Sequence, residues 1–107
     1  YLAMDIAVIG SDHIGSEKKV SICVKDNFSP YDRELTNRLV NCAKEAGIDY
    51  VEDVFYRYST DANAAVRSGN NLQAAAFGMG TFSSHGMERT HIQAVMDTAK
   101  LLTAFIL

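Results

Sequence analysis

Hydrophobic and polar positions fall into blocks along the chain that predict strands and helices in alternation. Residues 2–9 form an almost unbroken apolar run, which predicts a strand covered on both faces. Residues 20–25 alternate apolar with polar or small side chains, which predicts a half-buried or edge strand. Two more strands are predicted over residues 51–58, which contain several aromatic side chains, and over the small residues of 72–77.

The first helix signal follows the second strand. Ser29 is a typical N-cap residue and Pro30 suits the first helical position, so we expect a helix to begin here. Asp32 would then lie near the positive end of the helix dipole. Gly47 is a typical residue for ending the helix.

Two further helices are predicted in the second half of the chain. Thr60 or Asp61 caps a short helix over residues 62–68. The final helix begins near residue 91 or 93 and runs to the end of the chain, where Thr90 and Gln93 have the spacing of a capping box. Six of its apolar residues share one face of the helix: they are Ile92, Val95, Met96, Ala99, Leu102 and Ile106.

This alternation predicts an α/β fold with three layers, α/β/α, around a mostly parallel sheet. A chain of 107 residues is long enough for one domain or part of one. The chain does not begin with Met, and both of its ends are apolar. We therefore expect residues 1–107 to be one portion of a single larger domain.

Composition and charge exclude several functions. The net charge is −3, which leaves no basic patch for nucleic acid and no polybasic membrane signal. No apolar run approaches the roughly 20 residues of a membrane-spanning helix. Cys23 and Cys42 have no spacing typical of a disulfide framework or a metal knuckle, and two buried thiols suit a reducing, cytoplasmic compartment.

Asp5 is the first candidate for chemistry, because it interrupts the apolar run of residues 2–9. A carboxylate inside a buried strand must be paired, hydrogen-bonded or bound to a metal. One interpretation is a strand-end carboxylate that pairs with backbone or lysine, and the other is a metal ligand on a rigid strand. Asp12 is a rival that lies in a turn-like segment, and we expect His13 beside it to be solvent-exposed.

His85 is the second candidate, in a loop that follows the last predicted strand and is bounded by glycine. It is either a surface residue or a ligand, since α/β proteins place working residues on such loops. Glu88 and His91 lie close by and are either its outer partners or parts of a polar loop. Together they lack the spacing of a zinc-binding helix motif.

Two short motifs complete the candidates. Thr60 and Asp61 either cap a helix or, if that helix points at the carboxyl edge of the sheet, also line a pocket. Gly78 and Gly80 follow a predicted strand but lack the spacing of a dinucleotide-binding fingerprint and the helix directly after it.

These motifs, taken in order, resemble the C-terminal part of the catalytic domain of M42-family metallo-aminopeptidases. The most specific part is the run from Ser84 to His91, where Met87 stands in place of the usual aromatic residue. The threonine–aspartate–alanine motif at Thr60 is moderately specific. The resemblance covers residues 5–15, 20–26, 29–47, 59–62 and 84–91.

The resemblance implies a zinc-peptidase-like domain of which residues 1–107 are the C-terminal portion. It implies two divalent ions, zinc or cobalt, with Asp5 as a ligand of one and His85 as a ligand of the other. Thr60, Asp61 and Glu88 would contact substrate or orient the ligands. The parent enzyme would remove N-terminal residues from peptide substrates through a water that bridges the metals, and it would be a homo-oligomer.

The resemblance also implies what this chain lacks. The glutamate that acts as general base and the remaining metal ligands would lie upstream, so no catalytic residue is expected here and the chain alone should be inactive. Asp12 is followed by His13 and Ile14 where the family has threonine and proline. The alternative is a non-catalytic α/β interaction or scaffold domain, in which Asp5 is structural and His85 lies on the surface. An upstream histidine-x-aspartate motif and a glutamate pair would favour the enzyme.

Overall fold

A computed structural model describes all 107 residues and contains five strands and three helices. In chain order the elements are β1 (Leu2–Met4), β2 (Ala7–Val8), β3 (Val20–Lys25), α1 (Arg33–Glu45), β4 (Tyr50–Val54), α2 (Asp61–Arg67), β5 (Ala75–Thr81) and α3 (Ile92–Ile106). The predicted α/β alternation is confirmed. None of the three helices combines the length and the apolar composition needed to cross a lipid bilayer.

The strands form one sheet in the order β1-β5-β3-β4, and β2 continues beside β5 after a break from β1. β1 and β2 run parallel to β5, and β3 runs parallel to β4. The central pair, β3 and β5, is antiparallel, with Ile22 opposite Phe77. The sheet is therefore mostly parallel, as predicted, but its two halves run in opposite directions and share no single carboxyl edge.

The helices cover both faces of this sheet. α1 and α3 pack with one face around a cluster that includes Ile22, Leu39, Phe77 and Leu101. α2 covers the other face, where Ala62 packs with the small residues of β1 and β5 and with two aromatic side chains. The predicted three-layer arrangement is confirmed.

The prediction that residues 20–25 form a half-buried or edge strand is wrong. β3 lies between β5 and β4, and Val20, Ser21, Ile22 and Cys23 are all completely buried. Two of its polar-looking positions, Ser21 and Cys23, carry small side chains, so they fit in the interior of the fold. Burial raises the pKa of Cys23 to about 12, as befits an inert core thiol.

The first helix begins later than predicted. Asp32 is the N-cap of α1, and its carboxylate accepts a hydrogen bond from the backbone N–H of Leu35 at 2.8 Å. Ser29 does not cap the helix, because its hydroxyl donates to Oδ1 of Asn63 at 3.3 Å. Residues 29–31 pair with the end of β3, where the N–H of Tyr31 donates to the carbonyl of Val24 at 2.9 Å, so the helix begins only after them.

Most of the predicted apolar stripe of α3 faces outward, whereas Leu102 packs against the core. Ile92 is 67% exposed, Met96 60% and Ile106 70%. The side of the helix toward the sheet carries the buried residues Ala94 and Leu101, together with polar residues of the same helix. An exposed apolar helix face of this kind offers a surface for a further layer of structure.

Candidate metal site

Asp5 and His85, some eighty residues apart in the sequence, line the same small cleft of about 50 Å³. The cleft lies on the α2 face of the sheet. Its other lining residues are Ile6, Val8, Phe55, Tyr58, Ser59, Thr60 and Ser84. The structure therefore brings the two sequence-predicted ligands together, and their role in metal binding stays a prediction.

Asp5 lies in the break between β1 and β2, which corrects the prediction of one continuous buried strand. Its side chain is exposed, so burial does not force it to have a partner. The backbone N–H of Asp5 donates to the carbonyl of Phe77 at 3.0 Å, and its Oδ1 accepts from the N–H of Ile6 at 2.7 Å. The backbone is thus fixed to β5 while the carboxylate keeps free lone pairs for a ligand.

Gly78 and Gly80 of β5 allow this close approach. A Cβ atom on Gly78 would lie 1.4 Å from the carbonyl oxygen of Asp5, and one on Gly80 would lie 1.9 Å from that of Ser16. Neither glycine has a left-handed backbone, so glycine is required at these positions only because a side chain would not fit. The glycine pair is therefore a packing feature of the strand next to Asp5, in line with its poor match to a dinucleotide fingerprint.

His85 lies on a tight loop that two backbone hydrogen bonds close, from Phe82 to Arg89 at 2.7 Å and back at 3.0 Å. Within this loop Ser83 and His85 have left-handed backbones, with φ of 56° and 67°. The N–H of His85 donates to Oε1 of Glu88 at 3.1 Å. Glu88 thus stabilises the turn that presents the imidazole, and a strained backbone of this kind often marks a functional loop.

The remaining residues of the motif anchor the loop. The Arg89 guanidinium pairs with the Glu17 carboxylate at 2.9 Å, and the hydroxyl of Thr90 donates to a carbonyl of β5 at 2.7 Å. His91 is the N-cap of α3, where its Nδ1 accepts from the N–H of Gln93 at 3.0 Å. His91 therefore caps a helix and is not a partner of His85, and the predicted cap at Thr90 is wrong.

Tyr58 is a site residue that the sequence did not single out. Its ring stacks on the His85 imidazole with centroids 5.5 Å apart and an interplanar angle of 13°. Thr60 lines the cleft and is the N-cap residue of α2, but its side chain makes no cap hydrogen bond. Asp61 is the first residue of α2 and does not line the cleft.

A buried carboxylate that contacts Ser59, one of the residues lining the cleft, was also missed. Asp26, just after β3, is completely buried. Its Oδ1 accepts from the N–H groups of Phe28 and Ser29 at 2.9 and 3.2 Å, and its Oδ2 accepts from the hydroxyls of Tyr31 and Ser59 at 2.7 and 3.0 Å. Asp26 was not singled out from the sequence, because an aspartate at a strand end is ordinarily a turn residue.

The hydrogen bonds of Asp26 keep it ionised. Burial by itself would raise the pKa of Asp26, but hydrogen bonds led by those of Tyr31 and Phe28 outweigh burial, so the pKa lies below its usual value. A lowered pKa in the folded state stabilises the fold above the ordinary carboxyl pKa of about 4, and this stabilisation is lost as pH falls further.

We therefore predict that acid destabilises the wild-type protein more steeply than an Asp26→Asn variant. Denaturant unfolding at several pH values between 7 and 3 measures the two free energies of unfolding. Their difference should narrow as the pH falls below about 4. A difference that stays constant over this range would contradict the lowered pKa of Asp26.

A second, larger cleft of about 360 Å³ adjoins the first and shares Val8 and Tyr58 with it. Asp12 and His13 line it. The prediction that His13 is solvent-exposed is wrong, since its side chain is 10% exposed and its Nδ1 lies 3.2 Å from Oδ2 of Asp53. Asp53 lies on β4, and its contact with the imidazole holds His13 against the sheet.

The donors fit a divalent ion in kind but not in number. A carboxylate and an imidazole are ordinary ligands of zinc and cobalt. No group of three or more His, Cys, Asp or Glu side chains in the chain is placed to hold a metal ion. Asp5 and His85 can thus supply part of a site, and a closed site needs further donors.

Comparison with known proteins places the chain in a family. The model of the family described as M42 glutamyl aminopeptidase matches residues 1–101. The Bacillus subtilis (strain 168) protein named "Putative aminopeptidase YhfE" is 42% identical over 106 residues, which are 99% of this chain and 31% of that protein. The chain belongs to the M42 aminopeptidase family.

Solved structures share the fold. The dodecamer structure of PhTET1-12s superimposes with a TM-score of 0.87 at 23% identity, over 99% of this chain and 33% of that one. A TET aminopeptidase from a marine-sediment thaumarchaeon has a TM-score of 0.76 at 17% identity, over 98% and 31% of the two chains. The chain spans about a third of the length of these relatives.

Proposed function

We propose that the protein containing this chain is a di-metal aminopeptidase that hydrolyses N-terminal residues from peptides. The observation that carries the proposal is the shared cleft of Asp5 and His85 in a chain of the M42 family. Two divalent ions, zinc or cobalt, would polarise the peptide carbonyl and make water nucleophilic at neutral pH. Asp5 would hold one ion and His85 the other.

The chain's own residues position these two groups. The backbone of Asp5 is tied to β5, and the His85 loop is closed at its base by Phe82 and Arg89. Thr60 borders the cleft, and Glu88 holds the turn of His85. We assign Thr60 and Glu88 to orienting the site. Asp61 does not line the cleft, and its position in the first turn of α2 supports a role in that helix. The larger adjoining cleft has room for a peptide residue beside the metals.

The rest of the site would come from upstream residues, including the general-base glutamate and the remaining ligands. Support comes from the length of the relatives, of which this chain spans about a third, and from the outward apolar stripe of α3. We also propose a homo-oligomer, since PhTET1-12s is described as a dodecamer. The two free cysteines of this chain are typical of a reducing compartment, so we place the protein in the cytoplasm.

The outward stripe of α3 leads to a prediction for the 107-residue chain by itself. We expect it to self-associate and to bind a hydrophobic dye, because Ile92 and Met96 expose apolar surface. Replacing both residues by glutamate should reduce association in analytical ultracentrifugation, while the same change at exposed Lys44 and Lys100 should not. A wild-type chain that stays monomeric and binds no dye would argue against a covered face.

An end-specific assay tests the proposed activity. The complete protein should release the first residue of a peptide with a free amino terminus and should leave the N-acetylated peptide intact. A chelator should abolish this hydrolysis, and zinc or cobalt should restore it. Cleavage within the acetylated peptide, or hydrolysis that survives metal removal, would contradict the proposal.

A further inference from the structure

The completely buried Asp26 connects two segments that are distant in sequence. Its Oδ1 accepts from the N–H groups of its own loop, at Phe28 and Ser29. Its Oδ2 faces the other way and accepts from Tyr31 at 2.7 Å and from Ser59 at 3.0 Å. One carboxylate thus joins the approach to α1 with the segment between β4 and α2.

The protonation states of Asp26 and Tyr31 determine which group donates each hydrogen bond in the network. Burial and the neighbouring charge of Asp26 raise the pKa of the Tyr31 phenol far above its usual value, so the phenol keeps its proton. The phenol donates this proton in a hydrogen bond to the ionised carboxylate of Asp26. Tyr31 must therefore accept the hydrogen bond that its oxygen shares with the hydroxyl of Thr60.

The segment 58–60 is held at three successive residues. The N–H of Asn27 donates to the carbonyl of Tyr58 at 3.0 Å. Ser59 and Thr60 are held by the network of Asp26 and Tyr31. This segment is also one wall of the small cleft that contains Asp5 and His85.

Tyr58 links this wall to the metal ligand. Its ring lies flat against the His85 imidazole at 5.5 Å, whereas the hydrogen bond of His85 to Glu88 uses the backbone N–H and leaves the ring free to turn. The side chain of His85 is exposed and stands on a short loop. The stack is therefore a means of fixing the ring plane, which a ligating histidine requires.

We propose that Asp26 is a positioning residue of the metal site, which it serves by holding segment 58–60 so that Tyr58 orients the His85 imidazole. This inference rests on the proposed function, because it takes His85 to be a metal ligand. Asn is nearly isosteric with Asp, but the amide NH₂ cannot accept the hydrogen bonds that Tyr31 and Ser59 donate when it replaces Oδ2.

Cobalt titration of the complete protein tests this role through the visible absorption of bound Co²⁺. We expect Asp26→Asn to weaken Co²⁺ binding by about 10-fold or more, the range of outer-residue changes at metal sites, and to change the absorption band. The matched control Asp49→Asn should bind as wild type, because the Asp49 side chain is 68% exposed and lies 3.8 Å from its nearest cation, Lys19.

A double variant separates positioning from general destabilisation. If Asp26 acts through Tyr58, then Asp26→Asn should add less than about twofold to the affinity loss of Tyr58→Leu. Independent, multiplicative losses would overturn the inference, as would wild-type cobalt binding by Asp26→Asn. If Asp26→Asn does not fold, Ser59→Ala removes a single donor and decides the matter: weaker binding supports the role, and unchanged binding overturns it.

Failure of the proposed function would look different. In that case the wild-type protein would bind no Co²⁺, or His85→Ala would bind it as tightly as wild type. The inference about Asp26 fails on its own when His85→Ala loses affinity and the Asp26 and Ser59 variants do not.

Discussion

Replacing His85 by alanine should remove one of two metal ions from the complete protein and nearly all of its peptidase activity. The imidazole is one of the two donors that this chain brings to the cleft, and Asp5 is the other. Loss of a ligand should cost more than the 10–100-fold that outer-residue changes cost at metal sites. Elemental analysis and release of the first peptide residue measure the two effects, and Asp5→Ala should behave alike.

The histidine six residues further on provides a matched control. His91 belongs to the same motif but caps α3 through its Nδ1. His91→Ala should therefore keep both metal ions and lose about 1 kcal/mol of stability, as expected for a lost N-cap. Full metal content and activity in His85→Ala would show that His85 is a surface residue of the loop.

Replacing Gly78 by alanine should have the largest effect on folding of any glycine substitution in the chain. The added Cβ would lie 1.4 Å from the carbonyl oxygen of Asp5, which is backbone and cannot rotate away. Since overpacking by flexible side chains already costs roughly 1–3 kcal/mol, we expect a loss above about 3 kcal/mol or no folded protein. Denaturant unfolding of the complete protein measures this loss.

Gly69→Ala separates the clash from the ordinary cost of losing a glycine. Gly69 has a φ of +91° with open space around it, so alanine there meets strain but no atom. Its expected cost is about 1–2 kcal/mol. Equal losses at Gly69 and Gly78 would contradict the close approach of Asp5 to β5, on which the position of the candidate ligand depends.

The sequence predicted those features that local patterns determine. The order of strands and helices, the three layers and the mostly parallel sheet followed from periodicity and from helix caps. The expectation that Asp5 and His85 belong to one site followed from the family resemblance, since no periodicity relates residues eighty positions apart. The structure places both in one cleft, and their role as ligands awaits experiment.

The features that were missed depend on contacts between segments. The exposure of β3 was predicted wrongly because alternation alone does not reveal that small polar residues lie beneath a second layer. The cap at Ser29 was wrong because the residues after it pair with the end of β3 before the helix begins. Tyr58 and the contact of Asp26 with Ser59 gave no local signal, since their partners lie in distant parts of the sequence.

The apolar stripe of α3 was predicted, but not the direction in which it faces. Ile92, Val95, Met96 and Ile106 do form one apolar face at helical spacing, but periodicity does not tell which partner covers that face. Within this chain the sheet is covered by the opposite side of the helix, which carries Ala94 and Leu101.

Anomalous diffraction from crystals of the complete, zinc-loaded protein tests the central claim most directly. We predict two peaks roughly 3.5–4 Å apart in the small cleft. One should lie about 2.0–2.2 Å from a carboxylate oxygen of Asp5, and the other about 2.0–2.1 Å from a ring nitrogen of His85. Zinc bound elsewhere, with no peak within reach of these two side chains, would contradict the account.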